Sequence, residues 1–299
     1  MIETYNVSKS FDDIKAVDNI TATIKEGCVF GLIGTNGAGK STFLRMLAGV
    51  LKPDEGSIMV DGMEVYENPG AKSRFFYISD EQHFFSNATP SDMLKYYMVI
   101  YPDFNVNRFY DLMKRFELGI TRKVNTFSKG MKKQLSVILG ICSGTKYLYC
   151  DETFDGLDPV MRQGVKSIFA GEMEERDFTP VIASHNLREL EDICDHIGLL
   201  HRGGILLSKE LEDMKSNIHK VQCVLDMEKE SRLLTCLEII KSERRGSLLT
   251  LTVRGNRDEI LAKIQEENPV FLEALPLSLE EIFISETGVV GYDIKKLIY

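Results

Sequence analysis

Nine consecutive residues, Gly34-Thr35-Asn36-Gly37-Ala38-Gly39-Lys40-Ser41-Thr42, constrain this chain more than any other feature. They satisfy GxxxxGK(S/T), a pattern that puts glycine where the backbone turns tightly and ends in a lysine and a hydroxyl. A β-branched-rich run, Val29–Ile33, precedes them. From Lys40 to Leu51 apolar residues fall at Phe43, Leu44, Leu47 and Ala48, the spacing of a helix face. Strand, glycine turn and helix start together predict a phosphate cradle, because backbone amides and the positive end of the helix dipole converge there. In such a cradle Lys40 reaches the β- and γ-phosphates of a nucleotide, and the Ser41 hydroxyl holds Mg2+.

A second segment supplies the acids that such a site needs. Tyr147-Leu148-Tyr149-Cys150-Asp151-Glu152 reads as an apolar strand ending in two carboxylates. Asp151 is placed to contact the Mg2+ shell, and Glu152 to polarise an attacking water. A strand ending in Asp-Glu is common by itself. Its place after the phosphate cradle gives it meaning.

The rest of the chain reads as α/β. Ile2–Val7, Ile14–Ile24 and Val29–Ile33 are strand-like, and Gly56–Val60 runs into an Asp61-Gly62 hairpin turn. Ser91–Tyr101, Val106–Phe116 and Lys129–Cys142 each carry an apolar helical face, within an insert spanning about 81–144. Strands return at Tyr147–Cys150 and Pro180–Ala183, with a helix from Pro159 to Glu175 between them. That alternation predicts a parallel sheet covered by helices. After Lys215 the pattern changes: Val221–Leu225 and Leu248–Val253 read as strands, Arg257–Glu267 and Leu279–Ile284 as helices. The expected division is a nucleotide-binding domain over 1–215 and a small α+β accessory domain over 216–299.

Composition removes several functional classes. A net charge of −9 gives no broad basic surface for nucleic acid. No apolar run approaches the length that crosses a bilayer, and the N-terminus lacks the basic start and apolar stretch of a signal peptide. A cytoplasmic chain is expected. The six cysteines form no CxxC pair, and the five histidines lack metal spacing. His196 and His201 flank a strand-like run and are read as structural.

Further motifs narrow the class. Phe127-Ser128-Lys129-Gly130-Met131 resembles the signature LSGGQ, and it lies about a helix and a strand before Asp151. Asp151-Glu152-Thr153-Phe154-Asp155-Gly156-Leu157-Asp158-Pro159 resembles a joined Walker B and D-loop. His185, in Ala183-Ser184-His185-Asn186, matches a switch histidine, and Phe11 stands where an aromatic stacks on adenine. Over about residues 1–210 the chain therefore resembles the ABC ATPases. Its detailed wording is similar to exporter ATPases of the antibiotic-resistance, bacitracin-exporter-like group.

The resemblance implies a P-loop ABC cassette with a mixed sheet, an antiparallel β-subdomain and a helical subdomain. It implies ATP and Mg2+ as ligands, with Glu152 as principal base and His185 contacting γ-phosphate and water. Ser128 and Gly130, with Asp158, would face nucleotide held by a second cassette, making a head-to-tail dimer. A separate permease would bind the helical subdomain at the inner face of the membrane. Export of a solute is the leading expectation. A soluble ABC ATPase driving a non-membrane assembly machine is the alternative, and a nucleotide switch without turnover is a third class, disfavoured by Glu152 and His185.

The chain also departs from the family pattern. Asp80 stands where a glutamine is usual, leaving either Asp80 at the Mg2+ shell or Gln82 in its place after a local shift. Lys129 and Met131 replace glycine and glutamine, and Thr35 replaces a common proline. Phe84 and Phe85 either line a permease groove or pack the helical insert. Ser278–Phe283 resembles a closing helix of exporter ATPases, in a domain whose role stays open.

Overall fold

The computed structural model describes residues 1–154, 157–191 and 193–289. Asp155 and Gly156 of the D-loop-like segment, and 290–299 of the expected accessory domain, lie outside them. The chain divides into two units, Met1–Ser208 and Lys209–Tyr299.

The first unit opens with β1 (Ile2–Phe11), β2 (Ile14–Ile24), β3 (Phe30–Ile33), α1 (Lys40–Leu47), β4 (Glu55–Val60), β5 (Met63–Glu64), α2 (Pro69–Lys72) and β6 (Phe75–Ile78). The helical stretch holds α3 (Pro90–Ile100), α4 (Val106–Arg115) and α5 (Lys129–Cys142). Then follow β7 (Tyr147–Asp151), α6 (Pro159–Glu175), β8 (Thr179–Ser184), α7 (Leu187–Glu191), β9 (His196–His201) and β10 (Gly204–Glu210), the last carrying the division between the units.

One sheet, ordered β2-β1-β4-β5, is antiparallel throughout. The other is six-stranded, ordered β10-β9-β3-β8-β7-β6, with β3 parallel to both β8 and β9 and β7 parallel to both β6 and β8. Strands β3, β7 and β8 are buried along their whole length, which is why they read as continuous apolar runs. Helix α1 drops Phe43, Leu44 and Leu47 into a core shared with Val7, Val17, Leu32 and Tyr149. The phosphate cradle therefore rests on a rigid floor.

Local chemistry sets the helix starts. The Thr89 hydroxyl accepts from the Asp92 amide, and the Asp92 carboxylate accepts from the Thr89 amide, a reciprocal cap on α3. Ser128 Oγ accepts from the Met131 amide at 3.2 Å and starts α5. Asp158 Oδ1 accepts from the Met161 amide at 2.9 Å and starts α6, with Pro159 in the first helical position.

The second unit holds α8 (Leu211–Asn217), β11 (Ile218–Val224), α9 (Met227–Cys236), β12 (Glu238–Arg245), β13 (Leu248–Arg254), α10 (Arg257–Glu266), β14 (Phe271–Leu275) and α11 (Leu279–Val289). From β11 to β14 the order is βαββαβ, and the sheet runs β12-β13-β11-β14 with every pairing antiparallel. Val221, Cys223, Leu249, Leu251, Ile260 and Ile264 form its own core.

Candidate functional site

A cleft of about 700 Å³ opens over the turn between β3 and α1. Asn36, Gly37, Ala38, Gly39, Lys40, Ser41 and Thr42 line one wall. Gly39 has φ 102°, and a Cβ there would lie 2.1 Å from the Ala16 carbonyl oxygen, so only glycine closes this turn. Gly37 is also left-handed, at φ 79°. Because α1 begins at Lys40, the amides of its first turn face the cleft and make an anion cradle.

The Lys40 ammonium, almost wholly buried, donates to the carbonyls of Gly34 at 2.8 Å and Thr35 at 3.3 Å, and lies 3.2 Å from Glu152 Oε1. Glu152 Oε2 in turn lies 2.9 Å from His185 Nδ1. Lysine, glutamate and histidine thus form one chain across the cleft, drawn from the ends of three different segments. Gly34 and Thr35 take part through main-chain oxygens rather than as cleft wall.

Ser41 Oγ donates to Asp151 Oδ1 at 2.9 Å, and the Tyr77 hydroxyl donates to Asp151 Oδ2 at 3.3 Å. Burial pushes the Asp151 carboxyl up, and the two hydroxyl hydrogen bonds pull it part of the way back. Burial and the charge of Asp151 likewise push Tyr77 up to about 12, so it stays a neutral donor. A serine hydroxyl beside an aspartate is a hard, all-oxygen donor pair of the kind Mg2+ takes when phosphate and water complete its shell. The residues fit that ion.

Asp80 lines the cleft, whereas the Gln82 amide folds back onto the Ser79 and Asp80 carbonyls at 2.9 Å each. Of the two alternatives left by the sequence, the structure brings Asp80 to the site. Phe11 ends β1, half-exposed, opposite Ile14 across the β1–β2 turn, with Lys9 Nζ 5.8 Å from its ring centre. Ile14, Lys15 and Ala16 line the cleft beside it; Phe11 itself does not. Ser128, Gly130 and Asp158 are likewise not among the lining residues; Ser128 and Asp158 cap their helices. His196 and His201 sit at the two ends of β9, with His196 stacked on Phe30.

Sequence reasoning missed Ile14, Lys15, Ala16 and Arg202 as cleft residues, and Tyr77 as the second partner of Asp151. No motif marks the first four, which come from the start of β2 and the turn after β9. Tyr77 stands three residues before Asp80, and that proximity was the available signal.

Comparison with known proteins decides the family. Residues 17–155 match the family model described as ABC transporter. The ABC transporter ATP-binding protein YtrB of Bacillus subtilis (strain 168) is 31% identical over 288 residues, covering 96% of this chain and 98% of YtrB. The chain belongs to the ABC transporter ATP-binding proteins. This ABC cassette is also similar to the bacitracin transport ATP-binding protein BcrA of Bacillus licheniformis, 30% identical over 223 residues and covering 74% and 73% of the two chains. Among solved structures, an ATP binding subunit of an ABC transporter matches with TM-score 0.67 at 23% identity, over 72% of this chain and 92% of that one. MJ0796, a bacterial ABC transporter cassette solved as a dimer, matches at TM-score 0.64 and 20% identity, over 71% and 99%. The ABC cassette fold follows, and the chain is an ATP-binding and ATP-hydrolysing subunit of a transporter.

Proposed function

We propose that this cassette is the motor of an exporter, working as a head-to-tail dimer on a separate permease at the inner face of the membrane. The observation that carries the reading is the Lys40–Glu152–His185 chain across a phosphate cradle, while the capped start of α5 lies outside that cleft. A helix start bearing Ser128 and Gly130 suits the nucleotide of a second copy, with Asp158 beside it. The export direction is supported by relatives named for bacitracin and lantibiotic transport.

Within one copy, the amides from Gly34 to Thr42 bind the phosphates and Lys40 holds the β- and γ-oxygens. Ser41 and Asp151 would hold Mg2+, which when bound would neutralise phosphate charge, and Asp80 lines the same cleft. Glu152 takes the proton of the attacking water, and His185 orients that water toward the γ-phosphate. Phe11 stacks on adenine beside Ile14. Phe85, exposed and edge-on to Tyr96 at 4.8 Å, belongs to an aromatic surface of the helical subdomain suited to the permease.

Two measurements test this. Glu152→Gln with ATP should run as a dimer by light scattering, and native chain expressed with its neighbouring membrane subunit should sediment with membranes. A chain that stays monomeric with ATP and soluble beside its permease would refute the motor reading and favour a non-membrane machine.

A further inference from the structure

A lysine on the signature-like helix does something the cleft residues alone do not explain. Lys133, in the second turn of α5, has no exposed side-chain surface at all. A buried ammonium is costly unless acceptors surround it. Here Nζ donates to the main-chain oxygen of Glu152 and lies 3.6 Å from Asp80 Oδ1.

Both partners matter to the site. Glu152 has φ 47°, a left-handed conformation that a non-glycine residue holds only when its surroundings impose it. Its amide donates to the Ala183 carbonyl at 3.0 Å, and its carbonyl accepts from Lys133. The residue is thus clamped at both ends, and the clamp sets where its carboxylate stands between Lys40 and His185. Asp80, half-exposed, adds a second carboxylate to a cleft that Glu152 already lines, with Asp151 buried behind Ser41, and that must receive a polyanion. Lys133 balances that charge from behind.

We infer that Lys133 is a positioning residue for hydrolysis, clamping the Glu152 backbone and offsetting the Asp80 charge. The inference rests on Glu152 acting as the base. Through Lys133, the helix that presents Ser128 is also tied directly to the catalytic main chain. A shift of α5 is then felt at Glu152 without passing through the nucleotide.

Steady-state kinetics of the full-length chain separates the two roles. Lys133→Met removes both donor and charge: kcat should fall by about a hundredfold, as displaced catalytic groups do, and KM for ATP should rise by about tenfold from the unbalanced Asp80 carboxylate. Adding Asp80→Asn should restore KM and leave kcat low. Lys133→Gln keeps a donor but not the charge, so its KM should rise while its kcat falls less. A merely structural lysine would lower the active fraction without any dependence on Asp80.

Native kinetics in Lys133→Met would overturn the inference. Should that variant fail to fold, Lys133→Gln decides: an unchanged KM, or a raised KM that Asp80→Asn leaves raised, would sink it. Glu152→Gln is measured alongside. Full turnover there defeats the base assignment itself, whereas loss of turnover there with native kinetics in the Lys133 variants defeats only the clamp.

Discussion

Glu152 Oε2 and His185 Nδ1 lie 2.9 Å apart, although 33 residues separate them in the chain. They meet because β7 and β8 are parallel neighbours, with Asp151 opposite Ala183, so both residues emerge at the same sheet end. The carboxylate then bridges the histidine to Lys40. A carboxylate held by a histidine on one side and a lysine on the other is oriented as the proposed base requires.

Glu152→Gln should therefore lower kcat by about 10²–10⁴, the usual worth of general base catalysis, and leave ATP binding intact. The glutamine can still bond to Lys40 and His185, so folding is unaffected. Phosphate release and equilibrium binding of a fluorescent ATP analogue check both halves of the statement.

Gly39→Ala attacks the cradle through the backbone alone. The new methyl carbon would sit 2.1 Å from the Ala16 carbonyl oxygen, on a residue already at φ 102°. Either the turn opens or β2 moves. The cost should be about 1–3 kcal/mol of stability, with nucleotide binding lost even where the chain still folds. Urea unfolding and the same binding assay measure the two effects. Gly62→Ala is a useful contrast, since its φ of 75° carries the same left-handed strain while nothing lies within 4 Å of its added carbon.

Much of this was legible because it is local. Lys129–Cys142 and Pro159–Glu175 have the bounds that the sequence suggested, since Ser128 and Asp158 cap the following helices through their own side chains. Ile14–Ile24, read as a β-branched-rich run, is a strand with those bounds. The accessory unit was less readable. β12, Glu238–Arg245, is mostly charged and exposed, and it exists as a strand because β13 pairs with it. Lys133 was invisible for a related reason. A lysine between Lys132 and Gln134 reads as a solvated helix face, and only the packing of α5 on the six-stranded sheet buries it. Departures such as Asp80 were visible in sequence, but their compensating partners were not.

Lys40→Ala should weaken ATP binding by about 1.5–3 kcal/mol, the range for hydrogen bonds to a charged group. Its ammonium is nearly buried, and its loss also removes the lysine partner of the Glu152 carboxylate. Isothermal titration with a non-hydrolysed ATP analogue reads the affinity. If the affinity were unaltered, the phosphates would have to bind elsewhere than this cradle.

Asp151→Asn should lower activity and raise stability at once. Burial raises the Asp151 carboxyl above its ordinary value of 3.8. A carboxyl whose folded pKa is raised favours the native state fully only below its unfolded value, and that contribution is lost as pH climbs through the folded value. At neutral pH the ionised Asp151 therefore costs stability when neither nucleotide nor metal is present. Asparagine carries no such cost at any pH. Its melting temperature should match the native chain near pH 3 and exceed it increasingly above about pH 4. Metal affinity or turnover should meanwhile fall by roughly 10–100-fold or more. Melts from pH 3 to 8 alongside phosphate release decide the matter: a variant that melts lower than the native chain at pH 7 would mean that the Ser41 and Tyr77 hydrogen bonds outweigh the burial of the charge.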